Sequence, residues 1–301
     1  MKISKIFAGL ILCAAVAFVI SSCSNDEELN VQKSKELVPV RVHVNDFSIE
    51  MDEFQTTRTE PKTPAEYDNV QAMTLAFYNG ATEVYKTTQL RSDQSNYTTF
   101  GDFTLGLPMG SYTMVVLGYG YYDGVELTLT SPTQAEYTAG SVRETFAATQ
   151  PVSITSTDAV DLEATLNRIV AQLKVISTDN RTANISNVRM TFSAGGKRFS
   201  PTTGLATTNT GFANTVSIGS AVGAKSGSIS YLFLDSDVQN IDVTIETLDA
   251  DGHTIFSKVV SDVPFKRNRI TKLSGAMYSN TDVSASFLVN SDWLADYTGT
   301  F

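Results

Sequence analysis

Few residues in this chain could make or break a bond. Its 301 residues include two His, two Cys and one Trp, so a histidine base, a cysteine nucleophile or a metal cluster has only a handful of positions to occupy. His43 falls on the polar side of an alternating stretch, and His253 directly follows the turn Asp249-Ala250-Asp251-Gly252. Neither is placed to act as a base beside a nucleophile. That turn has the acidic start of a calcium loop but lacks the further ligands and the closing Glu, so it reads as a hairpin turn. The run Gly118-Tyr119-Gly120-Tyr121-Tyr122-Asp123-Gly124 lacks the last Gly of a dinucleotide fingerprint and has no strand-helix-strand unit around it. It reads as a loop. Its Tyr119, Tyr121 and Tyr122, with Trp293, offer ring faces on which sugars could stack, against the plainer reading that they pack on a strand edge. No carboxylate pair or nucleophile signature stands out, so the expectation is a protein that is not an enzyme, holding no metal and no cofactor. Assembly, adhesion and ligand binding remain.

The charge balance removes another class. Lys plus Arg number 22 against 32 Asp plus Glu, a net charge of −10 and a pI near 4.7, and phosphate backbones are held by clustered Lys and Arg. No nucleic-acid partner is expected. Lys2 and Lys5 precede an almost unbroken apolar stretch from Ile6 to Ile20, shorter than the roughly 20 residues a spanning helix needs. Residues 1–22 therefore read as a cleaved export signal. Ile20-Ser21-Ser22-Cys23 resembles a lipoprotein box, in which Cys23 is acylated and becomes the new N-terminus. Cys13 leaves with the signal and Cys23 carries the lipid, so no thiol is left for a disulfide. The covalent lipid would be the only attached group, and several acyl chains would hold the protein stably to a membrane without spanning it.

The elements that follow are strands. Residues 23–36 are polar and rich in Asp and Glu, as a flexible tether would be, and from residue 37 the dominant period is two. Val38, Val40, Val42 and Val44 point one way while Pro39, Arg41, His43 and Asn45 point the other. Pro39 favours an edge strand, because proline cannot donate to a ladder. Further strands are expected at 73–78, 84–88, 98–105, 112–119, 125–130 and 142–148, then around 188–192, 229–234, 241–245, 254–260, 269–278 and 283–289. One helical turn is expected at 64–69, and long loops with at most one short strand between 199 and 228. Leu162, Ala164 and Leu166 alternate on even positions, but Ile169, Ala171, Leu173 and Val175 alternate on odd ones. A strand cannot change face without a bulge or a change of sheet. The expectation is thus an all-β protein of two sandwiches in series, spanning 37–165 and 166–301.

Several motifs in order resemble the fimbrillin superfamily of Bacteroidetes, in particular its FimB-type minor anchor or accessory subunits. They are the signal ending at Cys23, the Val-rich first strand followed by Thr57-Arg58-Thr59, and Leu107-Pro108-Met109-Gly110-Ser111-Tyr112. Leu166-Asn167-Arg168-Ile169-Val170-Ala171-Gln172-Leu173 and Lys266-Arg267-Asn268-Arg269-Ile270-Thr271-Lys272-Leu273-Ser274-Gly275 complete the set. The acidic cluster after Cys23 also resembles the surface-export signal of lipoproteins from that phylum. The resemblance implies two transthyretin-like β-sandwiches with Greek-key-type connections and a place in a fimbria (pilus) on the outer membrane, lipid-anchored and surface-exposed, with other fimbrial subunits as partners and a host or glycan ligand as a further candidate. Stalk subunits of that superfamily are cut after an Arg, lose their first strand and receive a neighbour's C-terminal strand, which is β-strand addition. Carried onto this chain, Val38, Val40, Val42 and Val44 form the resident plug, Arg58 is the candidate cleavage point, and Ala285, Phe287 and Val289 are the apolar positions of a donor strand. Anchor subunits keep their first strand and their lipid. Three readings stay open: an anchor or accessory subunit, a polymerising stalk or tip pilin cut after Arg58, and a glycan-binding surface lipoprotein.

Overall fold

The computed structural model describes residues 36–48 and 62–279, together with the backbone of 290–291. Among the described residues there is no helix, and the chain is all-β. Eighteen strands follow in order: β1 (Leu37–Ser48), β2 (Ala72–Asn79), β3 (Thr82–Leu90), β4 (Asp102–Pro108), β5 (Gly110–Tyr119), β6 (Glu126–Ser131), β7 (Gln134–Ala139), β8 (Thr145–Ile154), β9 (Val160–Arg168), β10 (Ala171–Ser177), β11 (Asn187–Phe192), β12 (Arg198–Phe199), β13 (Phe212–Ser217), β14 (Gly227–Leu232), β15 (Val238–Leu248), β16 (Thr254–Lys266), β17 (Ile270–Gly275) and β18 (Asn290–Ser291).

The first nine strands, except β6 and β7, form one sheet in the order β3-β2-β5-β8-β9-β1-β4. β8 and β9 share only two residue pairs, Phe146↔Arg168 and Ala147↔Asn167, so the sheet folds over there and its two wings enclose a common core. Val38 to Val44, Phe103, Leu105, Leu107, Ala164 and Leu166 fill it from one wing, and Met73, Leu75, Phe77, Met114, Val116 and Val152 from the other. The second wing is covered on its back as well. Ala76, Tyr78, Val115 and Leu117 pack there against Leu129, Ala135 and Tyr137 of the β6–β7 hairpin and against Phe199 and Phe233 from the second half of the chain. Burial on both faces explains why 73–78 and 114–119 read as continuous apolar runs instead of alternating ones.

The chain leaves this sheet at Arg168 and enters a second one at Ala171, where β10 pairs with β14 antiparallel and with β17 parallel. That change of sheet is the physical cause of the face switch seen in the sequence. The sheet β14-β10-β17-β18 and the sheet β13-β11-β15-β16 close over a separate core of Leu173, Val175, Val188, Met190, Phe192, Ile241, Val243, Ile245 and Phe265. Asp179 ties the end of β17 down, its carboxylate accepting from the main-chain N–H of Met277, Tyr278 and Ser279 at 2.8–2.9 Å.

Three local expectations are corrected. β1 lies between β9 and β4 rather than at an edge; the ladder to β9 begins only at Val40, so Pro39 has a ladder partner on the β4 side alone and its missing donor costs nothing on the other. Residues 64–69 form hydrogen-bonded turns, Glu66 N–H to Thr63 C=O at 3.0 Å and Val70 N–H to Tyr67 C=O at 3.2 Å, and not a helical turn. β8 runs on to Ile154 through Pro151.

Candidate functional site

β1 is the element on which the assembly reading turns, and its sequence accounts for its place. Four valines at a spacing of two put every branched side chain on one face, and Val38, Val40, Val42 and Val44 are each 0–1% exposed. The face opposite carries Arg41, His43 and Asn45, which reach sideways to Asp161 at 3.4 Å, to the Asp102 carboxylate, and to Glu163 at 3.0 Å. Exposed polar and charged pairs of this kind contribute about 0–1 kcal/mol, whereas each buried valine is worth roughly 1.5–3 kcal/mol. The apolar face therefore holds the strand.

The pairing with β9 shifts between Val44 and Asp46. One extra residue, Asn45, reverses the alternation, so that odd-numbered Phe47 enters the core after four even-numbered valines. Phe47 is fully buried, with ring centroids 4.9 Å from Phe146 and 5.6 Å from Tyr67. Gly118 makes room for it: a Cβ there would stand 3.1 Å from the Phe47 ring, 3.2 Å from Leu166 and 3.3 Å from Val70. The slot under β1 thus has four small apolar positions and one aromatic one. Beyond β1, the N–H of Phe47 donates to Lys62 C=O at 3.0 Å, so the chain returns beside the end of β1 before β2 begins.

Two of the motifs met in the sequence converge below this slot. Arg168, at the end of β9, donates to Glu144 at 2.7 Å, to Asn268 at 2.8 Å and to Tyr67 Oη at 2.8 Å, with its guanidinium 4.9 Å above the Phe146 ring. Glu144 also accepts from Tyr67 at 2.6 Å and Asn69 at 3.1 Å. Arg168 and Glu144 are both 95% buried, and charges taken out of water survive only when paired and hydrogen-bonded in this way. Burial raises the Tyr67 phenol above its ordinary value, with Arg168 opposing. Asn268 takes φ +60°, which asparagine tolerates better than most residues, and its N–H donates to Val170 C=O at 2.9 Å. The network therefore fastens the β16–β17 turn of the second core to the strand ends of the first. Sequence reasoning noted Arg168 and Asn268 as motif residues but missed Glu144 and Tyr67, because nothing in their local spacing points to a partner so far along the chain. The motif at 107–112 is local: Tyr112 Oη donates to Pro108 C=O at 2.7 Å, and Gly110 leaves space for that ring.

The remaining sequence candidates separate. Cys23, Arg58, Ala285, Phe287, Val289 and Trp293 lie outside the described residues; directly after Val289, Asn290 and Ser291 pair antiparallel with Lys272 and Thr271 of β17. His253 lies 3.2 Å from Asp249, and Asp249, Asp251 and His253 lie within 4.8 Å of one another. The Asp249 carboxylate, though, is engaged by the N–H groups of Asp251 and His253 at 2.9 and 2.8 Å, which closes the β15–β16 turn. Of the three tyrosines, Tyr119 is buried edge-on against Tyr137, with ring centroids 6.4 Å apart. Tyr121 is half-buried and Tyr122 exposed, and both line a cleft.

Residues 39–298 match the model of a family of unknown function, DUF6562. The chain belongs to that family. No curated protein matches it in sequence. Among solved structures, the fimbrial anchor protein Mfa2 from Porphyromonas gingivalis is 12% identical with a TM-score of 0.50, over 88% of this chain and 100% of that one. A candidate adhesin from Bacteroides ovatus is 9% identical, TM-score 0.49, over 88% and 96%. A fimbrial assembly protein from Parabacteroides distasonis is 12% identical, TM-score 0.40, over 85% and 95%. At such identities the likeness is one of fold: this member of the family shares the all-β architecture of the Mfa2 anchor protein over nearly its whole length.

Proposed function

We propose that the protein is an anchor or accessory subunit of a fimbria on the outer surface, tethered to the outer membrane by lipid on Cys23 and joined to other fimbrial subunits by β-strand donation. Its two sandwiches divide between Arg168 and Ala171, where the chain changes sheet, it keeps its first strand, and its last strand, with Ala285, Phe287 and Val289, is the one it lends. One observation carries this reading: β1 is a single extended segment whose four valines and one phenylalanine complete a core otherwise made by other strands. A fold whose core is completed by one separable strand is chemically suited to strand exchange, since the same open ladder and apolar pockets accept any segment of matching pattern. The fold shared with the Mfa2 anchor protein supports the anchor position. Cleavage at Arg58 would sever the domains from their lipid, whereas an uncut chain stays tethered and can only donate.

Deleting Ser284 to Phe301 is the test of donation. The truncated protein is expected to fold, reach the surface and fail to join fibres, seen as loss of its co-purification with sheared fimbriae. Normal assembly of the truncated chain would overturn the donor role.

A further inference from the structure

The cleft lined by Tyr121 and Tyr122 has features that neither strand exchange nor the buried Arg168–Glu144 network uses. It encloses about 520 Å³ between the loops that follow β5 and precede β8 on one side and the outer face of the β14-β10-β17 sheet on the other. Arg143 lines it, with its guanidinium carbon 3.8 Å from the centre of the exposed Tyr122 ring. Among the described residues that guanidinium makes no ion pair and no hydrogen bond, and its Nε is buried without a partner. Stacking on tyrosine fixes the plane of the fork and leaves its Nη donors for something that is not part of the protein. Opposite, Gln172 is 95% buried and lines the same cleft, yet its side-chain amide makes no hydrogen bond among the described residues. Buried polar groups are ordinarily satisfied, so the unpartnered Arg143 Nε, facing an amide of Gln172 that has no partner among the described residues, points to a ligand.

The charges around the cleft give its sign. Glu144 reaches the lining but its charge is answered by Arg168 at 2.7 Å. Asp68 sits on the outer rim, exposed to water. Lys174 lies on the same sheet face as Gln172, between Ile229 and Lys272 on the two neighbouring strands, without an ion pair among the described residues. Arg143 is thus a lining cation with no carboxylate partner among the described residues, on a protein of net charge −10. The wall also presents the rings of Tyr121, Tyr122 and Tyr231, the exposed aliphatic Ile229 and the polar Asn69 and Gln71, without the row of alternating pockets that an extended peptide needs.

We infer that this cleft binds a carbohydrate carrying a carboxylate, with Arg143 holding the acid group, Tyr121 and Tyr122 stacking on a sugar ring, and Gln172 bonding to a ring hydroxyl. Arg143 and a carboxylate form a charge-assisted pair, and tyrosine presents apolar ring area with a polar edge. The inference is independent of the assembly reading, and fibre incorporation is expected to be unaffected in the variants below.

The test uses the mature chain and two acidic probes, tetragalacturonate and 3′-sialyllactose, each titrated calorimetrically beside its methyl ester, which keeps the rings and removes the charge. At least one acid is expected to bind saturably at up to millimolar concentration, with its ester weaker by about tenfold or more. Arg143→Gln is expected to lose a similar factor, Tyr122→Ala to weaken binding, and Arg143→Lys to recover only part, because lysine lacks the planar fork. Thermal melts of the variants verify folding. Absence of saturable binding for both acids, equal binding of acid and ester, or an unchanged Arg143→Gln would each overturn the inference. Binding of tetraglutamate in place of the sugars, lost in Arg143→Gln, would overturn it too and assign the cleft to an acidic peptide.

Discussion

β1 and β16 are of nearly equal length, 12 and 13 residues, and they are held in opposite ways. β1 has a partner on each side and turns an unbroken apolar face into the first core. β16 is the outer strand of its sheet, and of its 13 residues only Val263 and Phe265 are buried. It is also irregular: the ladder with β15 slips between Ile241 and Val243, where Asp262 takes φ +59° and donates its N–H to Asp242 at 2.8 Å. Pro264 follows. A bulge, a proline and charged side chains are the devices by which an edge is kept from pairing with another chain. The comparison teaches where exchange can occur. The β16 edge of the second sandwich is built to refuse a strand, while the interior position filled by β1 is built to hold one tightly.

The largest effect should come from removing β1. Five buried side chains at roughly 1.5–3 kcal/mol each match the whole stability of an ordinary domain, about 5–15 kcal/mol. A chain beginning at Ile49 is expected to lose cooperative melting by circular dichroism, and a synthetic Leu37–Ser48 peptide to restore it. The same peptide with Val40→Asp and Val42→Asp should not. Cooperative melting of the shortened chain alone would mean that the core does not depend on its first strand.

Next comes the network that joins the cores. Glu144→Ala takes from the buried Arg168 its paired carboxylate, and should cost about 3–5 kcal/mol in urea unfolding; joint replacement by Glu144→Leu and Arg168→Met should recover part of it. A smaller loss, about 1–3 kcal/mol, is expected for Gly118→Ala, whose new methyl meets the Phe47 ring. Phe47→Leu in the same chain should relieve the clash, which distinguishes crowding from any other defect of the glycine change. On the β16 side, Val259→Thr, at a position 55% exposed, should shift stability by no more than about 0.5 kcal/mol. An effect there comparable with that at Gly118 would erase the contrast between the two strands.

How far the sequence could be read follows from the same physics. The valine row of β1 and the face switch at Asn167–Arg168 are period-two signals, and they survive into the structure because one face of each strand meets a core. Pro39 misled because a proline demands an edge only where a ladder needs its N–H, and the β9 ladder starts one residue later. The two-residue strand β12 is too short to carry a periodic signal, and the alternation of β7 is brief and built on Ala135, Tyr137 and Ala139; both lie where Phe199, Phe233 and Tyr137 cover the back of β2 and β5. Tyr121 and Tyr122 could be suspected from their type, but Arg143 and Gln172 reach their cleft through tertiary contacts alone. The slot for Phe47 was hidden by the extra residue Asn45, which breaks the alternation that would have announced it.

The central claim is that the surface form is one uncut, lipid-bearing chain that retains its first strand. Intact mass spectrometry of protein taken from the cell surface tests it most directly. The expected species starts at an acylated Cys23 and runs through Arg58 to Phe301. A chain starting at Thr59 and carrying no lipid would contradict the anchor reading.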